Sequence, residues 1–184
     1  PPGTVLPMLP ERLSAGACSL HHGVERDTLT VRIRYGRDGS RQGIGLGLTR
    51  TRSRASLAYE HAEQMLHDDG FAPPGNCVSD GVDPAALRDA VRGMHHLAGV
   101  LRSRRRALGS LFVQRPEREF EFDASGDVKD VHLRPHLDAH WIIEEFMLAA
   151  NEAVAEFLLR RRAATLFRVH EPPTAASMRA LLDQ

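Results

Sequence analysis

The sequence predicts an α+β fold in which mixed, largely antiparallel strands pack with long helices. Three observations lead there. Strand-like stretches come as hairpin pairs instead of alternating singly with helices, which argues against doubly wound βαβ units. The stretch Asp138–Arg162 runs without Gly or Pro and reads as one long helix. The pair Asp83–Pro84 opens a second, with a capping carboxylate before a proline at the first helical position.

Taken in order, residues 1–26 are rich in turns. Prolines at 1, 2, 7 and 10 hold off helix until a short turn at Glu11–Ser14, which Gly16 ends. Val5, Leu6, Met8, Leu9 and Leu13 suggest that this irregular piece packs on a core. Thr28–Tyr35 alternates with period two, placing Leu29, Val31, Ile33 and Tyr35 on one face. A glycine-containing turn leads to a second strand, where Gly43, Gly45 and Gly47 leave one face without side chains and invite close packing. Alternating along a strand, these glycines are not a dinucleotide fingerprint.

Arg50, Arg52 and Arg54 continue that strand's register, and a helix follows across Ser56–Gly70. Residues 70–82 read as a surface loop. The helix begun at Pro84 should run to about Ala107, ending in the basic run Arg102, Arg104, Arg105 and Arg106. Cations suit a helix C-terminus without any ligand, although Arg104 and Arg105 would also serve as phosphate contacts beside a groove. Glu119–Asp123 and Val128–Arg134 form a further hairpin, Thr165–His170 reads as one more strand, and Thr174 caps a last helix.

The long helix carries the main functional signal. At about 100° per residue, Asp138, Glu145, Glu152 and Glu156 share one narrow polar face, so Glu145 reads as a solubilising charge. Ile143, Phe146, Met147, Ala150, Val154, Phe157 and Leu158 form a broad apolar arc. His140, Glu144 and Asn151 interrupt the apolar side within about 40° of one another. A carboxylate there is costly unless paired or facing a wet cleft, so Glu144 is either a satisfied core carboxylate or part of a ligand-groove wall.

Composition narrows the classes. Lys+Arg and Asp+Glu are 24 each, so the formal net charge is zero and leaves nucleic-acid binding open. Lys129 is the one lysine; the arginine clusters suit phosphate recognition, and equally a GC-rich coding sequence. Cys18 and Cys77 form neither a disulfide framework nor a thiolate metal set. No apolar run approaches the roughly 18 residues of a membrane span, and no signal peptide opens the chain, so a cytoplasmic location is the default. Adjacent His21 and His22 lack a third ligand at metal spacing, and Asp68–Asp69 and Asp80/Asp83 lack a second cluster, so no metal ligand is assigned. The chain opens without Met and stops at Gln184 inside a helical pattern, so residues 1–184 read as a single, incomplete domain.

Several strings, in order, resemble the catalytic domain of the ribonuclease II and ribonuclease R exoribonucleases: PMLPERLSAGACSL at Pro7–Leu20, RSRASLAYEHAEQML at Arg52–Leu66, RRRALGSLFVQRPEREFEFD at Arg104–Asp123, DAHWIIEEFMLAANEAVAEFL at Asp138–Leu158 and FRVHEPPT at Phe167–Thr174. The resemblance covers nearly the whole chain and the middle of the family's domain. It implies processive 3′→5′ hydrolysis of single-stranded RNA to nucleoside 5′-monophosphates. Divalent metal, normally Mg²⁺, would be held by an aspartate cluster that the family carries upstream of the position of Pro1, and an arginine-bearing motif lies beyond that of Gln184.

The family's stacking phenylalanine falls on Phe112, its nucleotide-contacting glutamate on Glu144, and the tyrosine of its LTY motif on Tyr59, here in LAY. Asn151 and His170 match recurrent family residues and, with His140, are candidates for the wall of the site. Arg52, Arg54, Arg104 and Arg105 are candidate phosphate contacts. Core packing is the alternative for Phe112 and Tyr59. The expectation is an RNA-binding segment of a cytoplasmic, monomeric exoribonuclease, inactive by itself because it holds no catalytic residue or Mg²⁺ ligand. The alternatives are a non-catalytic RNA-binding relative that keeps the groove, and a protein-interaction domain whose arginines are merely solvated.

Overall fold

The computed structural model describes residues 6–112, 117–123 and 125–183. A π-helical turn over Arg12–Ala17 precedes two long antiparallel strands, β1 (Glu25–Tyr35) and β2 (Arg41–Arg52). Helix α1 (Tyr59–His67) and a loop with a short 3-10 turn at Gly75–Cys77 lead into α2 (Pro84–Ala107). Strands β3 (Glu117–Phe122) and β4 (Val128–Arg134) form a second antiparallel pair, followed by α3 (Asp138–Arg160) and α4 (Ala175–Leu182). The α+β class read from the sequence is the fold observed. No helix among the described residues is long and apolar enough to cross a membrane.

The core lies between three helices. Met65 of α1, Val91 and Ala98 of α2 and Ile142 of α3 are buried together, ringed by Leu57, Ala62, Leu66, Phe71, Leu87 and Phe146. Local caps start α2 and α4, whereas α3 is met by a side chain from α1. Asp83 caps α2 by accepting from the backbone N–H groups of Ala85 (3.0 Å) and Ala86 (3.4 Å). At the start of α3, Ala139 donates its backbone N–H to Glu63 Oε2 of α1 over 3.0 Å. Thr174 caps α4 by accepting from Ser177 N–H.

The β1–β2 hairpin reaches the helices through its tip. Gly39 adopts φ 73°, and a Cβ there would lie 3.0 Å from Val100 Cγ1 of α2, so both conformation and space favour glycine. Far from the tip, Arg50 pairs with Asp27 and Arg52 with Glu25, across the strands.

Four sequence expectations need correction. Leu6, Met8, Leu9 and Leu13 are exposed (Val5 lies outside the described residues), so the proline-rich stretch does not pack on this core. A Cβ at Gly43, Gly45 or Gly47 would meet nothing within 4 Å, so the glycine face of β2 is open. Residues 165–170 form no strand: among the described residues no other strand pairs with them, and alternation needs a ladder partner.

The fourth concerns the rotation of α3. Its buried residues are Ala139, Ile142, Glu145, Ala149 and Ala153, whereas Ile143 and Met147 are 53% and 54% exposed. The small residues let α3 approach α2 and β1 closely, so alanine marks the inner side and the larger apolar residues do not.

Candidate nucleic-acid interface

The face of α3 that begins at His140 carries a continuous run of rings and guanidinium groups. Tyr59, the first residue of α1, stacks on His140 with centroids 4.1 Å apart and planes 19° from parallel. His140 Nδ1 accepts from the backbone N–H of Leu137 at 3.1 Å, so a neutral ring carries its proton on Nε2. His136 lies 5.1 Å from His140 and 4.3 Å from Trp141. The Arg102 guanidinium sits 3.3 Å from the Trp141 centroid and 4.9 Å from that of Phe112. Arg105 and Arg106 each lie 5.3 Å from the Phe112 ring, within the reach of a cation–π contact. Three helices and the segment that follows α2 thus bring Tyr59, His140, Trp141, Arg102 and Phe112 into one track.

Tyr59 is 37% exposed and Phe112 is half-buried, so neither is sealed in the core. Glu144 follows His140 by one helical turn and is half-buried. It makes no hydrogen bond or ion pair among the described residues. Asn151 continues the same face two turns further and is exposed. His170 is also exposed, in the non-strand segment before α4.

Glu145, read from the sequence as a solvent-facing charge, is instead 1% exposed and bonded to Arg105 Nη1 at 2.7 Å. The solvent reading failed because the polar face of α3 packs toward β1 and the end of α2; further along it, Glu156 pairs with Arg41 and Arg160.

The candidate phosphate contacts separate accordingly. Arg105 is engaged by Glu145, and Arg52 by Glu25 at 2.6 Å. Arg54 is exposed, its backbone carbonyl accepting from Ser79 N–H. Arg104 is exposed and, with Arg105, Tyr35, Glu145 and Glu152, lines a cavity of about 250 Å³ between the β1–β2 tip, α2 and α3. Burial pushes the Tyr35 phenol above its usual range, with Glu152 adding to the rise and Arg41 opposing it. Trp141 and His136 were not singled out from the sequence, and Arg102 was named only as part of the basic run that ends α2. The signal was present in the i, i+1 pairing of Trp141 with His140 and in Arg102 lying one turn before Arg106.

Two His–carboxylate groups come together that the sequence reading did not name: Glu63, His67 and Asp138, and Glu121, Asp130 and His132. Mg²⁺ demands octahedral oxygen ligands. Each group mixes imidazole with carboxylate, so neither fits the magnesium site that the resemblance implies, and no catalytic step is assigned to them. Asp68–Asp69 and Asp80/Asp83 belong to neither group.

A family model described as the RNB domain matches residues 1–184. The chain is 30% identical over 98% of its length to DIS3-like exonuclease 2 of Caenorhabditis elegans, 33% over 92% to ribonuclease R of Thermotoga maritima, and 31% over 98% to exoribonuclease 2 of Salmonella arizonae. It spans only 22%, 23% and 28% of those relatives. Among solved structures, Mycoplasma genitalium RNase R in complex with ribose-methylated single-stranded RNA superimposes over the whole chain with a TM-score of 0.86, at 24% identity and over 27% of that structure. That likeness establishes the shared fold. The chain belongs to the RNB family of ribonuclease II and ribonuclease R, and corresponds to part of their catalytic domain.

Proposed function

We infer that this chain supplies the nucleotide-contacting wall of a 3′→5′ exoribonuclease that hydrolyses single-stranded RNA to nucleoside 5′-monophosphates. The observation that carries the reading is the track from Tyr59 and His140 through Trp141 and Arg102 to Phe112. Aromatic faces with interleaved guanidinium groups hold unpaired bases whatever their sequence, because every base has a π face, and the arginines hold the backbone. The names of the relatives, all exonucleases or ribonucleases, support the same reading.

In this reading Tyr59 and Phe112 stack on bases, and Glu144 accepts hydrogen bonds from the terminal nucleotide. His140, Asn151 and His170 shape the wall. Arg54 and Arg104 approach phosphates more readily than Arg52 and Arg105, whose charges are already partnered. Divalent metal, Mg²⁺ in this reading, activates the attacking water and neutralises charge growing on the phosphate. In this reading its ligands come from outside this segment, and the 184 residues alone are proposed to be inactive. A cytoplasmic monomer acting on RNA without a membrane partner completes the proposal.

The test is Glu144→Ala in the full-length protein. Turnover, or handling of the 3′-terminal nucleotide, should fall while the melting temperature stays near wild type. Unchanged activity in a folded variant would remove the role of Glu144.

A further inference from the structure

We propose that Arg102 grips an RNA phosphate beside Phe112, and that Trp141 is the positioning residue that holds the guanidinium there. The inference rests on the RNA-binding reading and deepens it. The phosphate contacts expected from the sequence do not include Arg102, and the track by itself gives Trp141 no task distinct from stacking on a base.

Trp141 is a poor platform for a base because its ring is already taken. The Arg102 guanidinium lies 3.3 Å from its centroid, and His136 packs against it at 4.3 Å. Trp141 is half-buried and directly precedes Ile142 of the helical core, so its place on α3 is fixed. Among aromatic side chains, the indole face attracts a cation most strongly. It therefore orders the end of a long side chain in advance, and less rotamer freedom is lost when a ligand arrives.

The charges at the end of α2 show what Arg102 lacks. Arg102, Arg105 and Arg106 share one helical face and converge on the Phe112 ring, at 4.9, 5.3 and 5.3 Å. Glu145 neutralises Arg105. Among the described residues no carboxylate pairs with Arg102 or Arg106, and the Arg102 Nε is shielded from water without a hydrogen-bond partner. A guanidinium partly stripped of water and left unpaired costs free energy, and a like charge across the same ring adds to that cost. An anion relieves both. Phosphate fits best, because the planar fork presents paired N–H donors to two oxygens. With Phe112 as the adjoining base platform, the phosphate belongs to the nucleotide stacked on that ring. Arg104 instead lines the cavity by the β1–β2 tip.

The experiment is a salt titration of single-stranded RNA affinity in the full-length protein, with divalent metal chelated to prevent cleavage. Wild type, Arg102→Ala, Trp141→Leu and the double variant are compared from about 50 to 200 mM salt, with melting temperatures to confirm folding. Arg102→Ala should flatten the slope of log affinity against log salt by about 0.7, the value of one single-strand phosphate contact. Trp141→Leu should weaken binding roughly 3- to 30-fold, and Trp141→Phe, which keeps a π face, should weaken it less. In the Arg102→Ala background Trp141→Leu should change affinity by less than about twofold, because Trp141 acts through Arg102. An unchanged slope in folded Arg102→Ala would overturn the inference whether or not the Trp141 variants fold. So would an equal loss from Trp141→Leu with and without Arg102, which would make Trp141 a base platform in its own right. Both results leave RNA binding by the wall intact. A wild type that binds no single-stranded RNA would instead remove the RNA-binding reading, and this inference with it.

Discussion

Arg105 Nη1 donates to Glu145 Oε1 over 2.7 Å, and with Glu145 only 1% exposed this bond fixes which side of α3 faces inward. The neighbouring Glu144 is thereby left half-buried and unpaired among the described residues, on the side where His140 stacks with Tyr59.

Adjacent glutamates should therefore behave oppositely. Removing one member of a buried ion pair costs about 3–5 kcal/mol. Because Arg105 keeps 28% of its side chain in water, Glu145→Ala should fall at the low end, about 3 kcal/mol. Glu144→Ala should cost less than about 1 kcal/mol. Urea unfolding of both variants checks this, and equal losses would contradict the rotation of α3.

The same rotation makes a packing prediction. Ala153 is fully buried, so Ala153→Leu should destabilise by about 1–3 kcal/mol through overpacking. Met147→Ala, at a residue 54% exposed, should change stability by less than about 1 kcal/mol. Thermal unfolding separates the two.

Acid sensitivity should involve Asp69. Its hydrogen bond from Arg92 at 2.6 Å, reinforced by that cation's charge, holds its carboxyl below the usual carboxylate range. Since the folded pKa is the lower one, the stabilisation is full above the unfolded value of about 3.9 and is lost as pH falls through the folded value. Asp69→Asn should thus be less stable than wild type at neutral pH, with the gap closing under strong acid. Denaturant midpoints across a pH series measure this; a gap that persists at the lowest pH would exclude the carboxylate as its cause.

Arg102, sandwiched between Trp141 and Phe112, should resist conservative replacement. Lysine lacks the planar face that stacks on both rings, so Arg102→Lys should weaken single-stranded RNA binding nearly as much as Arg102→Ala. Fluorescence anisotropy with a labelled oligonucleotide decides; full retention by lysine would reduce the role to charge alone.

Much of the fold was legible because its local signals are strong. Asp83–Pro84 set the start of α2, and the unbroken stretch from Asp138 set α3, ending at Arg160 rather than the expected Arg162. The rotation of α3 was not legible, since large apolar residues outweigh alanine on a helical wheel while α2 and β1 select Ala149 and Ala153 for close approach. Glu144 was picked out by a wheel whose inner arc is partly wrong, so helical phase alone does not support its role. The family motif and its place beside His140 do. Tyr59 and Phe112 were reached through motif resemblance, whereas the Arg102–Trp141 contact joins residues far apart in the chain and needed the fold. The Glu63, His67 and Asp138 group escaped notice for the same reason.

The most direct measurement is single-stranded RNA affinity of the full-length protein carrying Tyr59→Ala and Phe112→Ala together, with divalent metal chelated to prevent cleavage. Two stacking faces at about 1–3 kcal/mol each predict a loss of at least about 30-fold, similar for oligoadenylate and oligouridylate, with little change in melting temperature. Affinity within about twofold of wild type in a folded double variant would contradict an RNA-binding role for this wall.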